Sequence, residues 1–396
     1  MTTETLEARP VYEGDFWADE VVLDPYPHYR ALREAGPVVW MAQHEAWVIT
    51  RHAEVRAALA DAATFSSARG CMMNAPMNAT ATGNILCTDD PEHAQMRKVF
   101  ARPLMPGAVG VLQARMEELA SEQIGALVER GQFEAVREVG HHLPISVVAE
   151  LVGLPEEGRR HMLDWAAGTF DAFGPLSSPR TLTGMEIAKE ATVYTRGIDP
   201  TVLAPDSWGA ALFAAAERGA IAEQQARQMM MGYVAPALDT TINATSSAIW
   251  LFAQNPGEWD RLRADRSLMG SALNEVVRLE SPLRGFSRYV TRDCDFGGVR
   301  LSAGDRALVL YASANRDERA YPEPERFDIG RANRDHVAFG YGVHTCAGMH
   351  LAKLEMTVIL NALADRVARF EIVEAERRPH NTLRGLHRLE VRVTPG

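Results

Sequence analysis

The chain has 396 residues, 46% of them hydrophobic, and a formal net charge of −11. That apolar fraction allows a large buried core, while the acidic balance and the lack of a long basic stripe argue against a nucleic-acid binder. No apolar run reaches the ~18 residues of a membrane span, and the four scattered cysteines, Cys71, Cys87, Cys294 and Cys346, suit neither a disulfide framework nor a CxxC site.

A polar start, Met1–Pro10, has neither leader nor anchor character, so a reduced, cytoplasmic protein is expected. Residues 1–20 read as a flexible lead-in. "DPYPHYRALREAG", Asp24–Gly36, reads as a loop and then a helix ended by Gly36. "PVVWMAQHEAWVIT" reads as two short strands around a polar turn, and "HAEVRAALAD" as another helix. Arg69–Thr82 lacks a period and is expected to be a long loop with some helical turns. From Pro91 to about Gly257 nearly every segment has helical spacing broken by Gly and Pro. Strand signals return at Cys294–Leu301, at Ala307–Tyr311 and near the C-terminus. No Gly/Ser/Pro-rich linker divides the chain. One large domain over 21–396, mainly α with a small β region, is predicted.

Chemistry concentrates in "FGYGVHTCAG", Phe339–Gly348, which precedes an apolar helical pattern. A cysteine just before a helix meets free backbone N–H groups, which favour the thiolate. A nucleophile would need a base, and His344 lies only two residues away, but the glycines would then have no role. A zinc site needs about four ligands and no second cluster stands nearby. Gly340, Gly342 and Gly348 suit a flat, bulky group pressed on the backbone. A haem iron with Cys346 as thiolate ligand satisfies these residues, and a buried cysteine at a Gly-rich helix entry is the alternative.

Two further signals stand upstream. "LNEVVRLESP" places Glu275 and Arg278 at i, i+3 on one helical face. Taken alone, this spacing usually marks a surface ion pair. "PERFDIGR" follows, and Arg326 is expected to complete a Glu–Arg–Arg cluster. The order ExxR, PERF, FxxGxHxCxG is specific, and through it the chain resembles the cytochromes P450 from Asp24 to its C-terminus. "NTLRGLHRL", "LRADRSL", "SANRD" and "HVAFGYGVH" make it most similar to soluble bacterial members that oxidise para-substituted aromatic compounds.

That resemblance implies a helical triangular prism and a haem b (iron protoporphyrin IX) held by an axial thiolate, here Cys346. Phe339 would pack beside the thiolate and Gly348 would follow it. His344, His93 and Arg97 (at i, i+4 in "EHAQMRKVF") and Arg288 match contacts to the haem propionates. "YVAPALDTTINA" matches the oxygen side, with Asp239 and Thr240 as the acid–alcohol pair that relays protons. Pro236 stands where Ala or Gly is usual, and with Gly232 it is expected to open the helix there.

Phe170 and Phe173 match aromatic substrate walls, and Met231, Ala235, Phe286 and Ser287 are further pocket candidates. The positions that clamp a carboxylate in benzoate-oxidising relatives fall on Thr80, Gly83, Met231 and Gly232, none of them charged. A small neutral phenol or methoxyarene is therefore expected rather than a benzoic acid. Arg284, Arg69 and His387 are candidates for a relocated anion site. Met72, Met73, Met77, Met229, Met230 and Met231 suggest a soft lining.

The resemblance further implies a monooxygenase that uses O2, with electrons from a separate iron–sulfur ferredoxin and its reductase, and a monomer. Arg97, Lys98, Arg102 and Lys353 could form the docking face. A peroxide-driven peroxygenase and a non-catalytic haem-thiolate sensor or carrier are the alternatives, and the Asp239–Thr240 pair disfavours both.

Overall fold

Short β-branched and aromatic runs build the sheet region, and amphipathic helices build the rest. The computed structural model describes residues 9–396. Among them the strands are β1 (Val11–Tyr12), β2 (Val38–Met41), β3 (Ala46–Ile49), β4 (Phe65–Ser66), β5 (Gln132–Glu134), β6 (Phe286–Val290), β7 (Cys294–Phe296), β8 (Val299–Leu301), β9 (Arg306–Val309), β10 (Val367–Glu376) and β11 (Arg388–Pro395). β2 and β3 pair antiparallel with Trp40 opposite Trp47, their rings 5.2 Å apart. They join a six-stranded sheet of order β1-β2-β3-β9-β6-β4. β10, β11 and β5 form a second sheet, and β7–β8 is a hairpin. Helices dominate the remainder, as expected.

The main core gathers around the helix Asp239–Gln254, where Ala248, Ile249 and Phe252 are fully buried. Phe252 packs on Trp259 and Phe327 with ring centroids 5.0 and 5.3 Å away. Gly140 lets another segment approach this helix closely, since a Cβ there would lie 2.9 Å from Ser246 Oγ.

The N-terminal segment departs from the expected loose lead-in. Residues 1–8 lie outside the described residues, but from Arg9 onward the chain is engaged. β1 pairs parallel with β2, and Phe16 and Trp17 are buried. The Arg284 guanidinium sits 4.5 Å above the Phe16 ring, and Trp17 Nε1 donates to Asn381 O at 3.1 Å. Two adjacent aromatics bury more apolar area than a flexible segment would leave exposed.

The Glu275–Arg278 pair is not a surface pair. Both side chains are fully buried, and Arg278 Nε and Nη2 donate to Glu275 Oε2 and Oε1 at 2.8 and 2.9 Å. Arg331, not Arg326, completes the cluster: its Nε reaches Glu275 Oε1 at 3.0 Å. Arg331 also binds the carbonyls of Pro322, Glu323 and Arg326, fastening the loop that "PERFDIGR" forms. Asn333 Nδ2 adds a bond to Glu275 Oε2 at 2.9 Å. Arg326 is exposed and, among the described residues, pairs only with Glu323. A buried carboxylate needs this full set of donors.

Arg331→Ala should therefore cost about 2–4 kcal/mol of stability, because it leaves a buried carboxylate under-bonded, whereas Arg326→Ala should stay within about 0.5 kcal/mol. Denaturant unfolding of the two variants checks this, and equal losses would contradict the assignment.

Candidate functional site

The segment Phe339–Gly348 folds back on itself: Cys346 N–H donates to Phe339 O at 2.8 Å. Gly340 and Gly342 take φ of +71° and +73°, which other residues rarely adopt. A Cβ on Gly342 would also fall 2.5 Å from Leu59 O. Gly342 thus answers to backbone packing against the helix His52–Ala60, and not to a flat group as expected. Gly340 and Gly348 do border the large cavity onto which the Cys346 thiol opens.

Burial pushes the Cys346 thiol up, against the opposing pull of the Gly348 N–H, the Arg97 guanidinium and the Met349 N–H. The helix-entry effect is present but is outweighed in the metal-free thiol. A metal ion would reverse that balance, since coordination removes the proton outright. Phe339 lines the same cavity, and Lys353 Nζ lies 5.5 Å from its ring centre.

Four basic side chains converge beside the thiol. His93 and His344 stack tilted with ring centroids 4.1 Å apart, and both Nε2 atoms are buried without a partner. Arg97 donates through Nη2 to Thr345 O. Arg288 donates through Nη1 to Ser287 O at 2.9 Å and to Cys71 Sγ at 3.6 Å. The one acid in contact with these four among the described residues is the half-exposed Asp90, 3.3 Å from His93 Nδ1. Burial, then Arg288, His93 and Arg97, pushes the His344 pKa down to about 3. Two guanidiniums beside two unpaired ring nitrogens call for an anion, whose charge would favour the protonated, donating rings. A planar group bearing two carboxylates and a metal at its centre fits the thiol, the donors and the apolar walls together.

On the opposite wall the helix Glu223–Val234 ends, and the next begins at Asp239. Pro236 lies inside the break Ala235–Leu238, where its missing N–H removes a helical bond. Gly232 has a separate reason, because a Cβ there would lie 2.9 Å from the Phe100 ring. Thr240 lines the cavity, and its Oγ1 donates to Pro236 O at 3.0 Å. Asp239 sits behind it, pushed up to about 7 by burial and by the nearby Asp171 and Asp164. A carboxyl titrating there exchanges protons near neutral pH.

The cavity measures about 330 Å³. Phe170, Phe173 and Phe286 line one side as a chain of rings 5.6 and 6.2 Å apart, and Met231 and Ala235 line another. Ser287 does not line it. Strand alternation turns Phe286 and Arg288 to the cavity and Ser287 away, where its Oγ donates to Met72 O at 2.9 Å. Met72, Met77 and Met231 reach the cavity, whereas Met229 and Met230 are main-core residues and Met73 packs elsewhere.

The three candidate cations all lie away from this lining. Arg284 is held by Tyr29 Oη at 2.8 Å, Arg69 covers the Tyr289 ring, and the His387 N–H caps Glu376 O. Arg196 is the cation that sequence reasoning missed, and it borders the cavity with Thr80, Thr192 and Gln228. The i, i+4, i+8 spacing of Ala188, Thr192 and Arg196 was the available signal.

Comparison with known proteins agrees with this geometry. A family profile described as Cytochrome P450 matches residues 210–388. The chain is 37% identical over 388 residues to Cytochrome p450 CYP199A2 of Rhodopseudomonas palustris, covering 96% of this chain and 94% of that one. It is 29% identical to the Vitamin D(3) 25-hydroxylase of Pseudonocardia autotrophica, covering 100% and 99%. Among solved structures, P450BioI in complex with hexadec-9Z-enoic acid-ligated acyl carrier protein superposes with a TM-score of 0.86 at 25% identity, covering 95% of this chain and 99% of that one.

The Asp239 shift has a stability consequence. An unfolded aspartate titrates near ~3.9, so between that pH and about 7 the folded chain keeps a proton the unfolded chain has released. This contribution is complete below the unfolded value and is lost as pH rises through the folded one. Asp239→Asn should raise the melting temperature at pH 8 by roughly 1–3 °C more than at pH 5. A gain independent of pH would show that Asp239 titrates normally.

Proposed function

This chain belongs to the cytochrome P450 family of haem-thiolate monooxygenases, and we propose that it oxidises a small, largely apolar aromatic substrate, hydroxylating an alkyl carbon or removing a methyl group from oxygen. The observation that carries this reading is one cavity holding the Cys346 thiol, four basic side chains of which two, His93 and His344, keep an unpaired ring nitrogen, and three phenylalanine rings. Bound there, haem b supplies the redox chemistry of dioxygen activation, which a thiolate ligand favours.

The chain's own residues take distinct parts. Cys346 would hold the iron, with Phe339 shielding the sulfur. His93, Arg97, Arg288 and His344 would hold the two propionates, whose charge would meet the two guanidiniums and the unpaired ring nitrogens. Asp239 takes up a proton, and Thr240 passes it on through an Oγ1 that exchanges its bond to Pro236 O for one into the cavity. The break at Ala235–Leu238 leaves backbone groups free beside that hydroxyl. Phe170, Phe173 and Phe286 orient a flat ring, and Met231 with Ala235 closes the opposite side.

Electrons come from a separate ferredoxin and its reductase in this proposal. Lys98 and Arg102 are exposed next to the haem-binding segments and support a locally basic docking face on an acidic protein. Arg97 is turned inward to Thr345 and serves the cofactor instead. Lys353 is half-buried over Phe339.

The reduced protein should give a thiolate-type carbon-monoxide difference band, and Cys346→His should replace it with an imidazole-type band. An unchanged band in that variant would exclude Cys346 as ligand. Thr240→Ala should lower product formed per electron pair on the order of 10- to 100-fold while leaving the carbon-monoxide band intact, as measured by coupled turnover.

A further inference from the structure

The cavity has a second polar end, remote from the thiol. Ala188, Thr192 and Arg196 present one stripe of the helix Pro179–Gly197 to it. Arg196 Nη2 donates to Thr80 O at 2.7 Å, while its Nε is buried with no partner. Burial lowers its pKa, and no acidic neighbour offsets that. Several buried arginines of this acidic chain are matched by acids, Arg51 with Asp317, Arg278 with Glu275 and Arg316 with Glu280, whereas Arg196, like the cavity-lining Arg288, has no carboxylate partner among the described residues.

The surroundings of Arg196 are ordered around it. Arg227 Nη1 binds Arg196 O at 2.8 Å and Ile198 O at 3.0 Å, pinning the helix end, and Glu223 neutralises Arg227 at 2.8 Å. Gln228 Nε2 donates to Thr82 O at 3.1 Å, and a Cβ on Gly83 would lie 3.1 Å from that nitrogen. Gly83 therefore leaves room for Gln228 on the cavity wall.

We propose that Arg196, with Thr80, Thr192 and Gln228, forms an anion-recognition subsite, and that the enzyme takes an elongated apolar acid whose carboxylate sits there while its far end reaches the haem. This rests on the monooxygenase reading and replaces the neutral substrate expected from the four uncharged clamp positions. The length follows from the fold. Gln228 and Ala235, both on the lining, are separated by about 10 Å of helix rise, and Pro236 and Thr240 lie farther on. A para-substituted benzoate is shorter than that span, and a ring carrying an alkanoate chain matches it.

The ferric holoprotein would be titrated with 4-methoxybenzoate, 3-(4-methoxyphenyl)propanoate and 5-(4-methoxyphenyl)pentanoate, each beside its primary amide. Calorimetry and the haem spin-state change are read together. The longer acids should bind about 10- to 100-fold more tightly than their amides, and Arg196→Gln should abolish that preference while moving amide affinity less than about 2-fold. Arg196→Lys should keep part of it. The proposal falls if no acid outbinds its amide. It also falls if Arg196→Gln weakens acid and amide alike, which would mark Arg196 as a support for the Thr80 carbonyl. A missing thiolate-type carbon-monoxide band would sink the haem reading alone, because the calorimetric preference reports on Arg196 independently.

Discussion

Buried nitrogen donors without acids to match them must be completed from outside the chain, and that constraint organises this molecule. An unpaired buried polar group is costly, so a fold that keeps several of them around one cavity is stabilised by a complementary guest. His93 and His344 each leave an Nε2 unmet, beside Arg97 and Arg288. The same logic separates the two ends of the cavity. Four basic groups beside the thiol match a dianionic cofactor, and a single guanidinium at the far end matches a monoanion.

Where the chain does supply its own counter-charge, the result is rigidity. Glu275 collects Arg278, Arg331 and Asn333, with a backbone bond from Asp328 N–H at 3.2 Å. Burial alone would raise the pKa of Glu275, but bonds from Arg278 and Asn333 and the charge of Arg331 hold it below the usual carboxylate range. Arg331 then carries the constraint outward, because the carbonyls it binds belong to the loop leading to Phe339. The ion cluster thus helps fix the segment from which Cys346 projects, although neither arginine touches the cavity.

The legible parts of the site were those whose partners lie within one turn or one loop. His93 and Arg97 share a helix face by spacing, Glu275 and Arg278 likewise, and the Cys346 loop closes on its own Phe339. The misplaced residues needed information from elsewhere. Arg326 and Arg331 stand five positions apart in one irregular loop, and no periodicity selects between them. Ser287 could have been excluded from the pocket, since alternation puts Phe286 and Arg288 on one face and Ser287 on the other. The helical spacing of Ala188, Thr192 and Arg196 marks a shared face, but it does not say what that face meets, because the role of Arg196 also depends on Thr80, 116 residues away in sequence. The Phe16–Trp17 pair was a visible sign that the lead-in packs, set against its polar surroundings.

The broken helix ties these strands together physically. A continuous helix from Glu223 to Gln254 would spend its backbone groups internally. The break at Ala235–Leu238 instead leaves Pro236 O to accept from Thr240, and places Asp239 at the first turn of the following helix. The positive end of a helix favours the carboxylate, but burial and the acids Asp171 and Asp164 oppose it and prevail. Asp171 in turn touches His380 at 3.3 Å, so the acids behind Asp239 connect to a titratable group on another segment. A proton arriving at Asp239 meets a carboxyl held near neutrality. It then faces a hydroxyl one residue on, whose present acceptor is Pro236 O. In the proposed relay no large motion is needed: rotation about one threonine side-chain bond would move its hydrogen bond from Pro236 O to the cavity.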